Sequence, residues 1–351
     1  MYLFDLGKLP GQQSMVIFHA LARIGVEGLV IVSPQSPLAS IGYFQDTEQE
    51  IDLEFCRTAR IPVMRREVGG GATYLDENQI FYQVIWKKGN RAFPQGLRGI
   101  FQELSQPACE TYQTFGIETS FRPENDIITS SGKKIAGQGG GNIGDRMVFV
   151  GGVLVDFDYR AMSKVLKVPD EKFRDKIHKS MEENLTTMKR ELGQPPPREE
   201  IVRVLAERFE KRLGTLERVG LDSQTIRKMM EIEKWMTSDS FLFKKTPRIP
   251  KGVKIREGIE LLYGIYKARG GVIRTIDEVE ENVLQELAIS GDFQFYPKED
   301  LANLEKSLIK TDFQERAIAS RIDEFYDKRD IDSPGVEPQD MMRAILDARS
   351  K

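Results

Sequence analysis

Between Arg65 and Tyr74 the chain reads Arg-Arg-Glu-Val-Gly-Gly-Gly-Ala-Thr-Tyr, and further on come Asn125-Asp126-Ile127 and Gly132-Lys133-Lys134-Ile135-Ala136-Gly137. These residues combine a glycine backbone, an arginine, a carboxylate and a lysine, which is the set needed to activate a carboxylic acid with a nucleoside triphosphate. Three consecutive glycines carry no Cβ, so their N–H groups can approach a phosphate or an acyl chain closely. Taken alone, the same glycines also suit an ordinary hairpin or bulge. Asp126 can hold Mg²⁺, which takes one or two carboxylates plus phosphate oxygens, and Asn125 can bond a phosphate or a ribose. Asn-Asp is equally a common turn signal.

Lys133 and Lys134 enter an apolar alternation, so they face opposite sides of a strand and one of them can enter a site. The alternation puts Lys134 on one face with Ala136 and Gln138. An ammonium about 4 Å from a phosphate oxygen contributes roughly 1 kcal/mol in water and about 4 at an effective dielectric near 20. Its effect therefore depends on excluding solvent. A solvated lysine pair on a hairpin is the plainer reading.

Two other motifs fail on context. Gly139-Gly140-Gly141-Asn142-Ile143-Gly144 has the G-x-G-x-x-G form, but the β-like runs Met147–Val150 and Val153–Val155 follow where a dinucleotide-binding helix should start. Gly132-Lys133-Lys134 lacks the upstream glycine and the Ser or Thr of a P-loop. Residues 137 to 146 are expected to form a mobile flap, with Arg146 as an anion contact.

In order and spacing, the three segments resemble the lipoate–protein ligase family, which is related to biotin protein ligases and octanoyltransferases; the similarity covers roughly residues 15 to 165. The resemblance implies a mixed α/β (α+β) fold with a largely antiparallel sheet flanked by helices. It also implies ATP, Mg²⁺ and lipoate as ligands, and a lipoyl-carrier protein as partner: a lipoyl domain, a glycine-cleavage H-like protein or a lipoate-binding protein. By position, Lys134 matches the lysine that touches the acyl carboxylate and the α-phosphate. Arg66 matches the pocket arginine, and Val68, Gly69, Gly70, Gly71, Thr73 and Tyr74 match the loop lining acyl chain and phosphate. Asn125 and Asp126 match the nucleotide and metal pair, while Ala136, Gly137 and Gly151 complete the contacts. The chain departs from the family pattern at Leu75 and Val150, where histidines are common, and in the polyglycine run Gln138 to Gly141. Ala288-Ile289-Ser290-Gly291-Asp292-Phe293-Gln294-Phe295-Tyr296-Pro297, preceded by Lys267–Ile273, resembles the accessory domain that some ligases carry fused.

On this reading the function is ATP-dependent ligation of lipoate, through lipoyl-AMP, to a lysine of the carrier. The alternatives are transfer from an octanoyl or lipoyl thioester, which needs a cysteine nucleophile, and a non-catalytic homologue that binds acyl or nucleotide ligands. Cys56 and Cys109, the only cysteines, read as reduced core thiols. In thioester-using relatives the cysteine falls where this chain has Ser120-Phe121. His19 and His178, the only histidines, lie outside the motifs and read as structural or surface residues.

The elements that must position these groups follow from periodicity. Met15, Phe18 and Ala22 mark a helix over 12 to 24, and Leu29–Val32 a strand. Ile61–Met64 and Ile80–Ile85 flank the glycine loop as strands. Thr47 with Glu50 reads as a capping box, and a helix runs over about 96 to 105. From about 158 to 243 the pattern is helical and charged, a helical lobe with Val202, Leu205 and Phe209 on its packed face. A composition shift over Pro247–Pro250 divides a catalytic domain (1 to 246) from an accessory domain (250 to 351), whose strands lead into helices near 298 to 309, 313 to 326 and 337 to 349. The 351 residues suffice for two cores. A net charge of −3 gives no general attraction to nucleic acid or to anionic membranes. The start shows no basic n-region, and no apolar run reaches 18 residues, so a cytoplasmic protein is expected.

Overall fold

The computed structural model describes residues 1–246 and 259–348; the expected boundary at Pro247–Pro250 and the last residue of the helix expected to reach 349 lie outside the described residues. Strands β1 (Tyr2–Leu9), β2 (Gly28–Pro34), β3 (Leu38–Ile41), β4 (Val63–Arg65), β5 (Thr73–Leu75), β6 (Gln79–Lys87), β7 (Thr119–Arg122), β8 (Asp126–Thr129), β9 (Lys134–Ile143), β10 (Arg146–Leu154) and β11 (Glu217–Arg218) form two sheets. The larger runs β11-β1-β2-β6-β10-β9-β8-β7, and the smaller β4-β3-β5. In the larger sheet only β11-β1 and β1-β2 are parallel, so the expected mixed, largely antiparallel α/β architecture is present.

Alternation decides what each face meets. On β6, Phe81 and Ile85 enter one core with Met15 and Phe18 of the helix Gly11–Ile24. Ile80, Tyr82, Val84 and Trp86 enter a second core, under the helices Leu97–Leu104, Gln106–Thr114 and Arg198–Leu213. Pro107 stands in the first turn of its helix, where its missing N–H costs nothing. The helices between 158 and 243 are thus shared between layers: Arg198–Leu213 packs through Val202, Leu205 and Phe209 on the second core, while Ser223–Met236 packs through Met229, Ile232 and Met236 on the first.

Three local expectations change. Asp46, not Thr47, caps the single-turn helix Thr47–Glu50, accepting from the Glu48 N–H; the Thr47 hydroxyl is buried and donates to the Leu242 carbonyl. Residues 137 to 143 are no flap but most of β9, with Gln138 to Ile143 in register with Gly151 to Arg146 of β10. The packing is tight at Gly140, where a Cβ would come 3.1 Å from the Phe101 ring, whereas one at Gly139 would meet Val68 at 3.4 Å, an ordinary contact. Arg146 is likewise no free anion contact, since its guanidinium donates to the Gly25 carbonyl at 2.9 Å and pairs with Asp145.

Residues 259–348 form a three-stranded antiparallel sheet, β12 (Ile259–Ala268), β13 (Gly271–Glu280) and β14 (Val283–Gly291), backed by the helices Asp300–Leu308, Glu315–Asp327 and Pro338–Asp347. This body packs on the first core, where Phe44 stacks on Phe293 with ring centroids 5.3 Å apart. Among the described residues no helix is long and apolar enough to cross a membrane.

Candidate active site

Arg65 and Arg66 leave β4 in opposite directions and do different work. Arg65 is fully buried and donates to the carbonyls of Gly42, Tyr43, Gln45, Phe241 and Leu242 and to the Thr47 hydroxyl. It ties the turn after β3 to the end of the helical segment. Arg66 donates to the carbonyls of Gly69 and Gly71 at 2.9 and 2.8 Å, closing the glycine loop around its guanidinium. Burial, with Arg65 alongside, lowers the Arg66 pKa to about 10, so the group remains cationic at neutral pH.

Gly70 takes φ +91°, a left-handed conformation that glycine adopts without strain. Its N–H does not point at a ligand: it donates to the Phe293 carbonyl at 3.2 Å. A Cβ at Gly69 would come 2.5 Å from the same carbonyl oxygen. The segment Asp292–Gln294 therefore rests on the glycine loop, and the expectation that the whole loop offers its N–H groups to phosphate is corrected at Gly70.

Below the loop lies a buried ionic cluster. Glu67 pairs with Lys298 at 3.0 Å and with Arg23 at 2.6 Å, and the Lys298 ammonium also donates to the Asn142 carbonyl at 2.7 Å. Burial works to raise the Glu67 pKa, but the neighbouring cations, Lys298 foremost, outweigh it and hold the carboxyl below its usual range. His19 Nε2 accepts the Glu67 backbone N–H at 3.1 Å. Complete burial lowers the His19 pKa to about 3, so the ring is neutral and structural. His178 lies on the helix Glu171–Asn184, 3.6 Å from Glu182, and neither histidine lines the cavity.

That cavity, about 320 Å³, opens between the glycine loop, β6, β9 and β10. Arg66, Gly70, Gly71, Thr73, Tyr74, Asn125, Lys134, Gly137 and Gly151 all line it. Val68, Gly69, Ala136 and Asp126 do not. Val68 and Ala136 are buried in separate cores, and the Gly69 carbonyl faces Arg66. Asp126 stands behind Lys134, its Oδ1 2.6 Å from the ammonium and its Oδ2 2.9 Å from Arg122.

A register shift between Ile127 and Ile128 on β8 explains why Lys134 and Ala136 part company. The bulge breaks the alternation. Ile135 and Ala136 both enter the second core, while the Lys134 ammonium folds back over Gly137, 2.9 Å from where a Cβ would sit.

Sequence reasoning missed most of the apolar wall. Met15, Phe18, Phe81, Leu154, Met162 and Met181 line the cavity, as do Leu75 and Val150, which replace polar family positions. The glutamines at 79, 83 and 138 line it too. The period of two from Gln79 through Phe81 to Gln83 was the available signal, since it puts all three on one face. Neither cysteine lines the cavity; both are free and buried, and burial pushes each thiol pKa up to about 11.

The large mixed sheet thus holds an apolar pocket that ends at a lysine, an asparagine and an arginine-closed glycine loop. Residues 16–210 match the lipoyl protein ligase A/B catalytic domain, and the chain belongs to that family. It is 31% identical to lipoate-protein ligase A subunit 1 of Thermoplasma acidophilum over 157 residues, 42% of this chain and 58% of the relative. The chain thus matches less than two thirds of that relative's length. Lipoate–protein ligase 2 of Staphylococcus aureus is 27% identical over 78% of this chain and 76% of its own, and octanoyltransferase LipM of Kyrpidia tusciae is 25% identical over 51% and 72%.

Among solved structures, P. falciparum LipL1 in complex with lipoate covers 98% of both chains at a TM-score of 0.70 and 14% identity. The bi-partite lipoate protein ligase of Thermoplasma acidophilum, described with its E2 lipoyl domain, covers 71% of this chain and 98% of its own at 0.63 and 24%. Lipoate-protein ligase A bound with ATP covers 69% and 98% at 0.58 and 20%. At these identities the structures establish the fold. Ligases and an octanoyltransferase both stand among the relatives, so the family leaves the acyl donor open.

Proposed function

We propose that this chain activates lipoate with ATP as lipoyl-AMP and passes the acyl group to a lysine of a lipoyl-carrier protein. The observation that carries this reading is that the reactive group lining the cavity is the Lys134 amine, while both thiols are buried elsewhere and held protonated. A thioester-using transferase needs an accessible thiolate.

In the first step a lipoate carboxylate oxygen attacks the α-phosphorus and pyrophosphate leaves with the electron pair of the broken P–O bond. Lys134 exchanges Asp126 for the acyl carboxylate and α-phosphate oxygens, stabilising the charge that builds there. Asn125 lies at the rim for ribose or phosphate, and Arg66 fixes the loop beneath the acyl chain. The apolar wall takes the hydrocarbon and excludes water, strengthening the lysine's field. In the second step the carrier's neutral lysine amine attacks the acyl carbon and AMP departs.

Among the described residues no cluster of three or more His, Cys, Asp or Glu is arranged to hold a metal. Magnesium would therefore rely on Asp126 and on the nucleotide's own phosphate oxygens, where it would supply charge neutralisation.

The test is a mass measurement on a lipoyl domain incubated with this chain. A lipoyl mass gain that requires ATP and free lipoate supports the ligase; a gain only from an acyl-carrier thioester, unaffected by ATP, replaces it with the transferase.

A further inference from the structure

The inner end of the cavity carries a polar group that the activation chemistry does not use. Gln83 is 2% exposed and lines the cavity. Its Nε2 donates to the Ser14 carbonyl at 3.0 Å, which fixes the orientation of the amide. Its Oε1 is buried and has no hydrogen-bond partner among the described residues. The lining side chains at this end, Met15, Phe18, Phe81 and Val150, offer no N–H or O–H. A buried acceptor left unpaired has given up its water without gaining a partner, which destabilises it until a donor arrives.

Its position sets what can reach it. Gln138 pairs with Gly151, and Gly151 with Tyr82. Gln83 therefore stands two strands across from β9 and two residues further along than Gly137, over which the Lys134 amine lies. At ~4.8 Å per strand and ~3.3 Å per residue, the separation is roughly 12 Å. An acyl group of octanoyl length, with its carboxylate at Lys134, ends beside Gln83.

We infer that Gln83 Oε1 accepts a hydrogen bond from a donor at the distal end of the acyl chain, so that the pocket selects chains carrying a terminal thiol or hydroxyl over chains carrying none. The assignment rests on the acyl-pocket reading above. In lipoate chemistry it favours the reduced dithiol over the closed disulfide ring, which has no donor. A hydroxyl donates more strongly than a thiol, so the hydroxylated chain gains more.

Equilibrium binding of four free acids to the full chain, without ATP, tests this: octanoate, 8-hydroxyoctanoate, lipoate and dihydrolipoate. The hydroxylated acid binds about tenfold more tightly than octanoate, and dihydrolipoate several-fold more tightly than lipoate, differences of the size of one buried hydrogen bond. In Gln83→Leu both preferences fall to within about twofold. Should that variant fail to fold, the four acids on the parent chain still decide. If only dihydrolipoate is preferred, the donor is a thiol; if only the hydroxy acid, a hydroxyl. Equal binding of donor and non-donor chains by the parent overturns the Gln83 assignment and leaves the acyl pocket standing. No binding by any of the four acids overturns both.

Discussion

Two ion-pair clusters lie on either side of the cavity and are built oppositely. Under the glycine loop, Glu67, Lys298 and Arg23 form a closed set: Glu67 and Lys298 are less than 10% exposed, and Lys298 also bonds the Asn142 carbonyl. At the other wall, Lys134, Asp126 and Arg122 have side chains 35%, 20% and 46% exposed, with Asp126 shared between two cations. In the first cluster Glu67 and Lys298 have exchanged water for fixed partners, so losing either strands the other's charge, while Arg23 is 28% exposed and keeps water. The second keeps water, so its members can change partners when a polyanion arrives. One fixes the loop's shape, and the other is free to do chemistry.

The comparison breaks most visibly at Glu67. Glu67→Ala leaves the buried Lys298 ammonium without its carboxylate, and removing one partner of a buried pair costs about 3–5 kcal/mol. Chemical denaturation is expected to show a loss of that size. A double variant, Glu67→Leu with Lys298→Met, is expected to recover much of it, because the buried ammonium goes with its partner and the Arg23 left behind is 28% exposed and keeps water. A loss below about 1 kcal/mol in the single variant would mean that water reaches the cluster and the contrast is false.

At the open cluster the expected effect moves from stability to rate. Lys134→Ala is expected to slow acyl-adenylate formation about 10²–10³-fold, the usual consequence of deleting one group that stabilises transition-state charge. The unfolding midpoint should barely change, since part-exposed pairs contribute about 0–1 kcal/mol. Adenylate formation at the parental rate would remove Lys134 from the chemistry.

Much of the fold was legible because alternation and helical spacing are local. Met15, Phe18 and Ala22 mark the helix under the cavity, and Phe81 and Ile85 one face of β6, whatever surrounds them. The glycines of 139 to 141 were misleading for a physical reason: local preference reads a glycine run as a loop, but these three pair with β10 in a central strand, where Phe101, distant in sequence, crowds any side chain at 140. The bulge beside Lys134 was hidden similarly, since a register shift belongs to the pairing of β8 with β9 and not to either strand alone. Lys298 meets Glu67 across 231 positions, and no periodicity spans that distance. Several cavity-lining residues on contiguous motifs, Arg66 and Lys134 among them, were within reach of the sequence, whereas Val68, Gly69, Asp126 and Ala136 of the same motifs do not line the cavity. The supports and the apolar wall were out of reach.

The smallest predicted effect sharpens the closed cluster from within. Neutral His19 accepts the Glu67 N–H, and burial holds its pKa at about 3, far below the ordinary imidazole value of 6.5. The unfolded chain therefore binds a proton near pH 6.5 that the folded chain refuses until about pH 3. Protons favour the unfolded state, so this contribution is fully present above pH 6.5 and is lost as pH falls, by at most ~1.4 kcal/mol per pH unit. Glu67 acts in the same direction, but its lowered pKa matters only in the carboxylate range, so pH 6.5 to 5 isolates the histidine. Other carboxyls titrate with burial-raised pKa values, and comparing parent with His19→Gln removes their share, because glutamine keeps an acceptor for the N–H but carries no proton. The parent is expected to lose stability more steeply than the variant over that window, by about 1 kcal/mol per unit. Parallel curves would show that His19 takes up its proton without unfolding, which a cluster closed to water does not permit.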